Sequence, residues 1–275
     1  MLLGSVILVL QETLEAALLV SVLLAISRQQ WNRLAWSWFG IGGGVILSAT
    51  YANYIVEISE WFDYVGQEIV NASLQTLTAL LIAACTWALF VTRPFSLSRE
   101  QQDNRFITIF IVCAASAVAL TITREGSEVL VYLVGFLQQE EYVQTIVAGS
   151  SIGFGIGLSI GILIYFGLLN LPGKWRQYAP VILMALFAGN MLSQAALQLT
   201  QADLIPSGRA IWDTSEWISE SSVSGRSLYA LIGYEATPSA SQLAAYIGGM
   251  FLVLVAAAVG QYSNLSHKVT NQDPS

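Results

Sequence analysis

The sequence predicts an all-α integral membrane protein of seven transmembrane helices, built as an inverted 3+3 helix repeat plus one C-terminal helix. Three observations lead there. Of 275 residues, 55% are hydrophobic and only 11% charged, where an ordinary soluble domain is about a quarter charged. The apolar residues gather into seven runs of the roughly 20-residue length that a bilayer core demands. And special residues recur at one offset: Glu12 and Glu125, Glu15 and Glu128, Gly40 and Gly153, Gly42 and Gly155, Gly44 and Gly157 each lie 113 positions apart. Three spans separate the copies. The number is odd, so the second copy crosses in the opposite sense, which is the signature of inverted repeats with substrate held near the midplane between the halves.

The expected spans are 3–26, 34–56, 70–92, 106–137, 143–170, 178–200 and 241–262. The first carries QETLE at 11–15 and has no basic segment before it, so it does not read as a cleavable signal peptide. The second presents Gly40, Gly44, Ser48 and Ala52, and the fifth presents Gly149, Gly153, Gly157 and Gly161. Small residues every four positions let helix backbones approach closely, so both faces are read as packing surfaces, within one bundle or between two copies. The fourth span carries REGSE at 124–128; it and the fifth are long enough to tilt or extend past the bilayer. The organisation is thus 1–93 for the first repeat, 94–200 for the second, 201–240 for an external acidic loop, 241–262 for the seventh helix and 263–275 for a disordered cytoplasmic tail. In the loop, Pro206, Gly208, Gly225 and Pro238 punctuate the chain, Asp213, Glu216 and Glu220 share a face of a short helix, and Trp212, Trp217 and Tyr229 suit an interfacial segment at the headgroups.

Orientation follows from the basic residues. One set of loops, with the tail, holds Arg28, Arg33, Arg93, Arg99, Arg105, Lys174, Arg176 and Lys268; the other holds only Arg209 and Arg226. This places the protein in the plasma (cell inner) membrane with its N-terminus outside and C-terminus in the cytoplasm. The acidic residues divide the other way: Glu57, Glu60, Asp63, Glu68, Glu140, Glu141, Asp203, Asp213, Glu216, Glu220 and Glu235 fall outside. Such a surface draws cations toward the mouth of a site. The composition also excludes chemistry. His267, the single histidine, is in the tail, and Cys85 and Cys113 sit inside spans as small apolar residues. A histidine, copper or haem centre is therefore not available. No enzymatic activity, resident cofactor or nucleic-acid partner is expected.

The glutamates carry the function. Residues i and i+3 share a helix face, so Glu12 with Glu15 and Glu125 with Glu128 form two carboxylate claws. Facing lipid, four carboxylates and Arg124 would cost about 12–17 kcal/mol, so they must face inward. Oxygen ligands of this kind suit hard, highly charged cations, and binding one would release protons. Arg124 tempers the repulsion among the carboxylates, and Gln11, Thr13, Thr121 and Thr123 supply neutral polar groups nearby. Thr121, Glu125, Glu128 and Tyr132 form one helical stripe, with Tyr132 read as an interfacial aromatic. Glu57 and Glu60 in EISE, with Asp213 and Glu216, are candidates for external access of the metal. By spacing alone the chain is a metal importer, a proton-coupled carrier or a membrane scaffold held by a buried polar network.

REGSE resembles the REGxE motif of the oxidase-dependent ferric iron permease family, which includes the fungal high-affinity iron permeases and bacterial EfeU-type permeases. QETLE stands at the place of that family's first copy, and the stretch from Ile211 through Tyr246, with WDTSEW, GYEATPS and QLAAY, is similar to its last loop and final helix. The resemblance spans the chain. It implies iron, Fe3+ foremost, bound by Glu12, Glu15, Glu125 and Glu128 with Arg124 as the motif arginine, and a partner on the outer side that oxidises or delivers iron. Related permeases extend the expectation to lead or another divalent metal. A proton-conducting membrane subunit of a larger complex is the reading from another class. The first motif departs from the family by Gln11 in place of arginine and Thr13 in place of glycine; the family's external acidic motif is matched only loosely, by Glu57 and Glu60.

Overall fold

The computed structural model describes residues 2–92, 104–137, 143–206, 208–220 and 222–271. The helices are α1 (Leu2–Gln30), α2 (Trp36–Asn53), the short α3 (Ile55–Ser59) and α4 (Trp61–Tyr64), then α5 (Gly66–Thr92), α6 (Asn104–Leu137), α7 (Val143–Asn170), α8 (Trp175–Gln201), α9 (Val223–Ile232) and α10 (Ala240–Asn271). Six of them, α1, α5, α6, α7, α8 and the Ala240–Asn264 part of α10, are long and apolar enough to cross a membrane. The expected second span is the exception. Its helix is only 18 residues long, diluted by two tryptophans at its start and the triple glycine 42–44. Beyond it Phe62, Asp63 and Tyr64 take left-handed φ values and turn the chain into α5. At the other end, α10 continues past Tyr262 as helix to Asn271, where a disordered tail was expected. Asn264 holds it there by donating from its amide to the Phe90 carbonyl at 3.2 Å. Arg93, Arg99, Glu140 and Glu141 lie outside the described residues.

α1 packs chiefly along α7 and α2 along α6, α5 lies against α6 and α8, and α10 covers α5 and α8. The glycine faces make the first two crossings close. A Cβ on Gly40 would lie 2.9 Å from the Ala115 carbonyl and one on Gly44 2.7 Å from Ile122 Cβ, both on α6. A Cβ on Gly153 would run into the Val6 carbonyl, and one on Gly157 would lie 2.9 Å from Thr13 Cβ, both on α1. Gly42 and Gly155, by contrast, both face open space. Each glycine pair at offset 113 thus behaves alike. The bulk of Thr13, in the motif position where Gly126 stands on α6, is taken up by Gly157, while Gly126 admits the Ser48 side chain.

The apolar core fills one end of the bundle. Leu18, Leu19, Val22, Leu23 and Ile26 of α1 meet Ile82 and Leu89 of α5, Phe110 and Val118 of α6, and Met184 and Phe187 of α8. On each helix these lie on the same side of the polar residues: toward the C-terminus of α1 and α5, and toward the N-terminus of α6 and α8. Between this core and the opposite end the buried side chains include a set of polar ones, among them Glu12, Glu15, Asn71, Gln75, Glu125 and Gln194.

The 202–239 connection folds into the bundle. The stretch 212–220 is turns, not the short helix expected to align Asp213, Glu216 and Glu220; Asp213 instead accepts from the Ser215 amide at 2.9 Å. Glu220 accepts from the amides of Ala236 and Thr237 at 2.7 and 3.2 Å. α9 is capped by Ser222 and ends on left-handed Gly233. It packs against α1 and α8, and Asn190, midway along α8, donates to the Tyr229 carbonyl at 3.4 Å. The segment around Tyr229, expected at the headgroups, is instead drawn against the bundle: Gly225 and Ala230 are buried and Leu231 packs on the apolar core.

Two expectations follow. Gly153→Leu drives a side chain into the α1 backbone and should cost about 1–3 kcal/mol, seen as a lower unfolding temperature of detergent-purified protein, whereas Gly155→Leu should not. Glu235 is partly buried, and this burial raises its pKa above the usual glutamate range, offset in part by the Gln242 amide that donates to it. The fold favours its protonated form, so its contribution is present at low pH and fades as pH rises through the raised value. Limited proteolysis of the 202–239 segment should accelerate over that rise, and Glu235→Gln should flatten the profile.

Candidate metal centre

Membrane-length apolar helices α1 and α6 cross, and each presents its glutamates at the crossing. One carboxylate oxygen from each of Glu12, Glu125 and Glu128 lies within 4.8 Å of the others, close enough to share a metal ion. Glu12 and Glu125 are buried, and the Glu128 side chain is 32% exposed, which makes it the solvent-facing edge of the cluster. Glu12 Oε2 and Glu125 Oε2 are buried with no hydrogen-bond partner. Burial of a carboxylate oxygen without a partner is costly, and a cation bound by both oxygens relieves it.

Arg124 is folded into the same space. Its guanidinium lies 2.7 Å from Glu125, 3.2 Å from Glu128 and 3.7 Å from Glu15. Fully ionised, the four glutamates and one arginine sum to −3, an imbalance that a trivalent ion or protons would neutralise. Glu15 stands apart from the three-carboxylate cluster. It accepts from Gln194 Nε2 at 3.0 Å, and Gln194 in turn accepts from Gln75 Nε2 at 2.7 Å. Gln11, at the position equivalent to Arg124, is half-buried, so the two motifs contribute unequally. Thr121 is buried one turn below Glu125 with its hydroxyl unpartnered; Thr123 bonds its own helix at Ala119, and the half-buried Thr13 packs on Gly157.

Toward the open end, Tyr132 is tied to α1 through a 2.8 Å hydrogen bond with Ser5 and packs on Phe136. Tyr51 donates to Asn71 at 3.0 Å. Burial, and then the negative charge of Glu15, push the Tyr229 phenol well above its ordinary range. Glu57, Glu60, Asp213 and Glu216 are all exposed and outside this cluster.

Gln75 and Gln194 escaped the sequence reading, although a signal existed. Asn71-x-x-x-Gln75 and Asn190-x-x-x-Gln194 recur at an offset of 119, six residues beyond the offset that aligned the earlier helices. A search at fixed offset passes over them.

The model of the iron permease FTR1 family matches residues 2–268. Among curated proteins, the chain is 24% identical over 264 residues to the ferrous iron permease EfeU of Escherichia coli O6:H1, covering 92% of each chain. It is 24% identical to that of Escherichia coli O157:H7, over 92% of this chain and 94% of the relative. Against the ferrous iron permease EfeU of Yersinia pestis it is 22% identical, over 90% and 89% respectively. No solved structure matches the chain.

Arg124→Ala leaves Glu125 and Glu128 without their cation. Breaking a buried pair in this way costs about 3–5 kcal/mol, so the variant should unfold at clearly lower temperature than Arg124→Lys in detergent melts.

Proposed function

The chain belongs to the iron permease FTR1 family, and we propose that it imports iron across the plasma membrane through the cluster of Glu12, Glu125 and Glu128, with Glu15 and Arg124 completing the site. The observation that carries this is the convergence of three carboxylate oxygens within 4.8 Å inside helices long and apolar enough to span a bilayer. Charge at that depth is retained only for a purpose. Oxygen-only donors favour a hard ion, and three carboxylates match the charge of Fe3+. The relatives' names specify ferrous iron, so a ferrous cargo is the second reading, and uptake assays in both oxidation states separate the two.

In this proposal α2 also crosses the membrane, giving seven spans. α1, α2 and α5 form one repeat and α6, α7 and α8 its inverted copy. The like environments of Gly40 and Gly153, of Gly42 and Gly155 and of Gly44 and Gly157 support it, as does the reciprocal packing of α1 on α7 and α2 on α6. The N-terminus lies outside. The exposed acids Glu57, Glu60, Asp213 and Glu216 concentrate cations at the outer face, where a partner protein oxidises or delivers the iron. A lead or other divalent-metal permease on the same fold would show itself by metal competition. A proton-conducting subunit would bind no stoichiometric metal, and a scaffold would lose assembly rather than flux.

The test is uptake of radioactive iron, as ferric citrate or as ferrous iron with ascorbate, by cells lacking their own importers. Even the partners of metal ligands are worth about 10–100-fold, so Glu125→Gln with Glu128→Gln should cut uptake by more than a hundredfold at unchanged membrane level. Normal uptake by that double variant would sink the central-site reading.

A further inference from the structure

The four glutamates are held differently. Glu12, Glu125 and Glu128 turn an oxygen each toward a common point. Glu15 is pinned elsewhere: it is 1% exposed and fixed by the amide of Gln194, which is itself fixed by Gln75. Both amides are buried, and they come from α8 and α5, outside the two glutamate helices. Every donor in the relay points toward Glu15. The Glu15 oxygen that faces Gln194 is therefore held as an acceptor, turned away from the common point of the other three.

Arg124 supplies the reason for such a device. Its closest two carboxylates, Glu125 and Glu128, belong to the metal cluster, while its third, Glu15, is 3.7 Å away. A cation entering the cluster repels the guanidinium and competes for the same oxygens. A buried guanidinium cannot be left unpaired, so it needs a receiving carboxylate that the metal does not claim. We propose that Glu15 is not a ligand but the receiving counter-ion for Arg124, positioned by Gln194 and Gln75. Arg124 holds Glu125 and Glu128 together when no metal is bound and swings onto Glu15 when one binds. The inference rests on the carboxylate cluster being the iron site. It makes Gln194 and Gln75 positioning residues and makes transport an exchange of an external cation for an internal one.

A double-mutant cycle on the KM of iron uptake, read beside equilibrium ferric citrate binding to the purified protein, tests it. Loss of a hydrogen-bonded charge partner is worth about tenfold or more, so Glu15→Gln alone should raise KM by at least that. If Glu15 serves only Arg124, the same change made on top of Arg124→Gln should add less than about twofold, because coupled residues are not additive. Losses that multiply would make Glu15 a ligand and overturn the inference. Should Arg124→Gln fail to fold, the exchange of partners decides. Gln194→Glu sets two carboxylates against each other and should raise KM about tenfold; adding Glu15→Gln restores one amide–carboxylate bond and should recover at least about threefold of it. Gln194→Glu behaving as wild type, or no recovery in the pair, overturns the positioning role, since a packing role predicts no rescue. A wild-type chain that neither binds nor takes up iron overturns the permease reading, and this inference with it.

Discussion

The ion pairs of Arg124 with Glu125 and Glu128 are the interaction on which the rest of the structure depends. Without a cation, four carboxylates in the middle of apolar helices would repel one another and demand water. One guanidinium bound at 2.7 and 3.2 Å to two of them, with a third 3.7 Å away, lets α1 and α6 cross where their glutamates meet. The cost of burying so much charge also explains why α5 and α8 carry amides at the same depth. Gln75 and Gln194 give the carboxylate nearest them a neutral donor where another charge would only add repulsion.

Close helix crossings frame this cluster. α2 is clamped to α6 through Gly40 and Gly44, and α7 to α1 through Gly153 and Gly157. Each glutamate helix therefore has a companion to which it is bound tightly, while the glutamate helices touch each other over a smaller area. In the first motif the two departures from the family pattern have separate fates. Thr13 is absorbed by a glycine across the crossing, and Gln11 leaves Arg124 as the single positive charge of the cluster.

Much of this was legible in the sequence because membrane helices are written in long apolar runs, and because charge within them can only be functional. The glutamates, their arginine and the packing role of the glycines all follow from spacing. Three things did not. The division between Glu12, Glu125 and Glu128 on one hand and Glu15 on the other is set by partners on α5 and α8, which no local pattern links to α1. The second span looked longer than α2 is, since apolar composition does not reveal where a glycine-rich helix stops. And Tyr229 was read with Trp212 and Trp217 as part of a headgroup segment because an aromatic suits that position equally well; the packing of α9 depends on neighbours on α1 and α8 that come together only in the folded bundle.

The apolar core beneath the glutamates has a kinetic consequence. From Leu18 to Ile26 it spans nine residues of α1, about 12 Å at the rise of a helix. Its polar neighbours are already satisfied: Thr86 bonds the Ile82 carbonyl and Ser21 the Gly161 carbonyl. An ion stripped of water would meet a desolvation barrier of several kcal/mol or more there, far too high for free diffusion. On the route proposed above, passage would require the core to part for every ion, with each glutamate helix moving together with its clamped companion. Such rearrangements take microseconds to milliseconds. Throughput is then metered like a turnstile: it saturates with cargo, responds steeply to temperature, and stays orders of magnitude below that of an open pore.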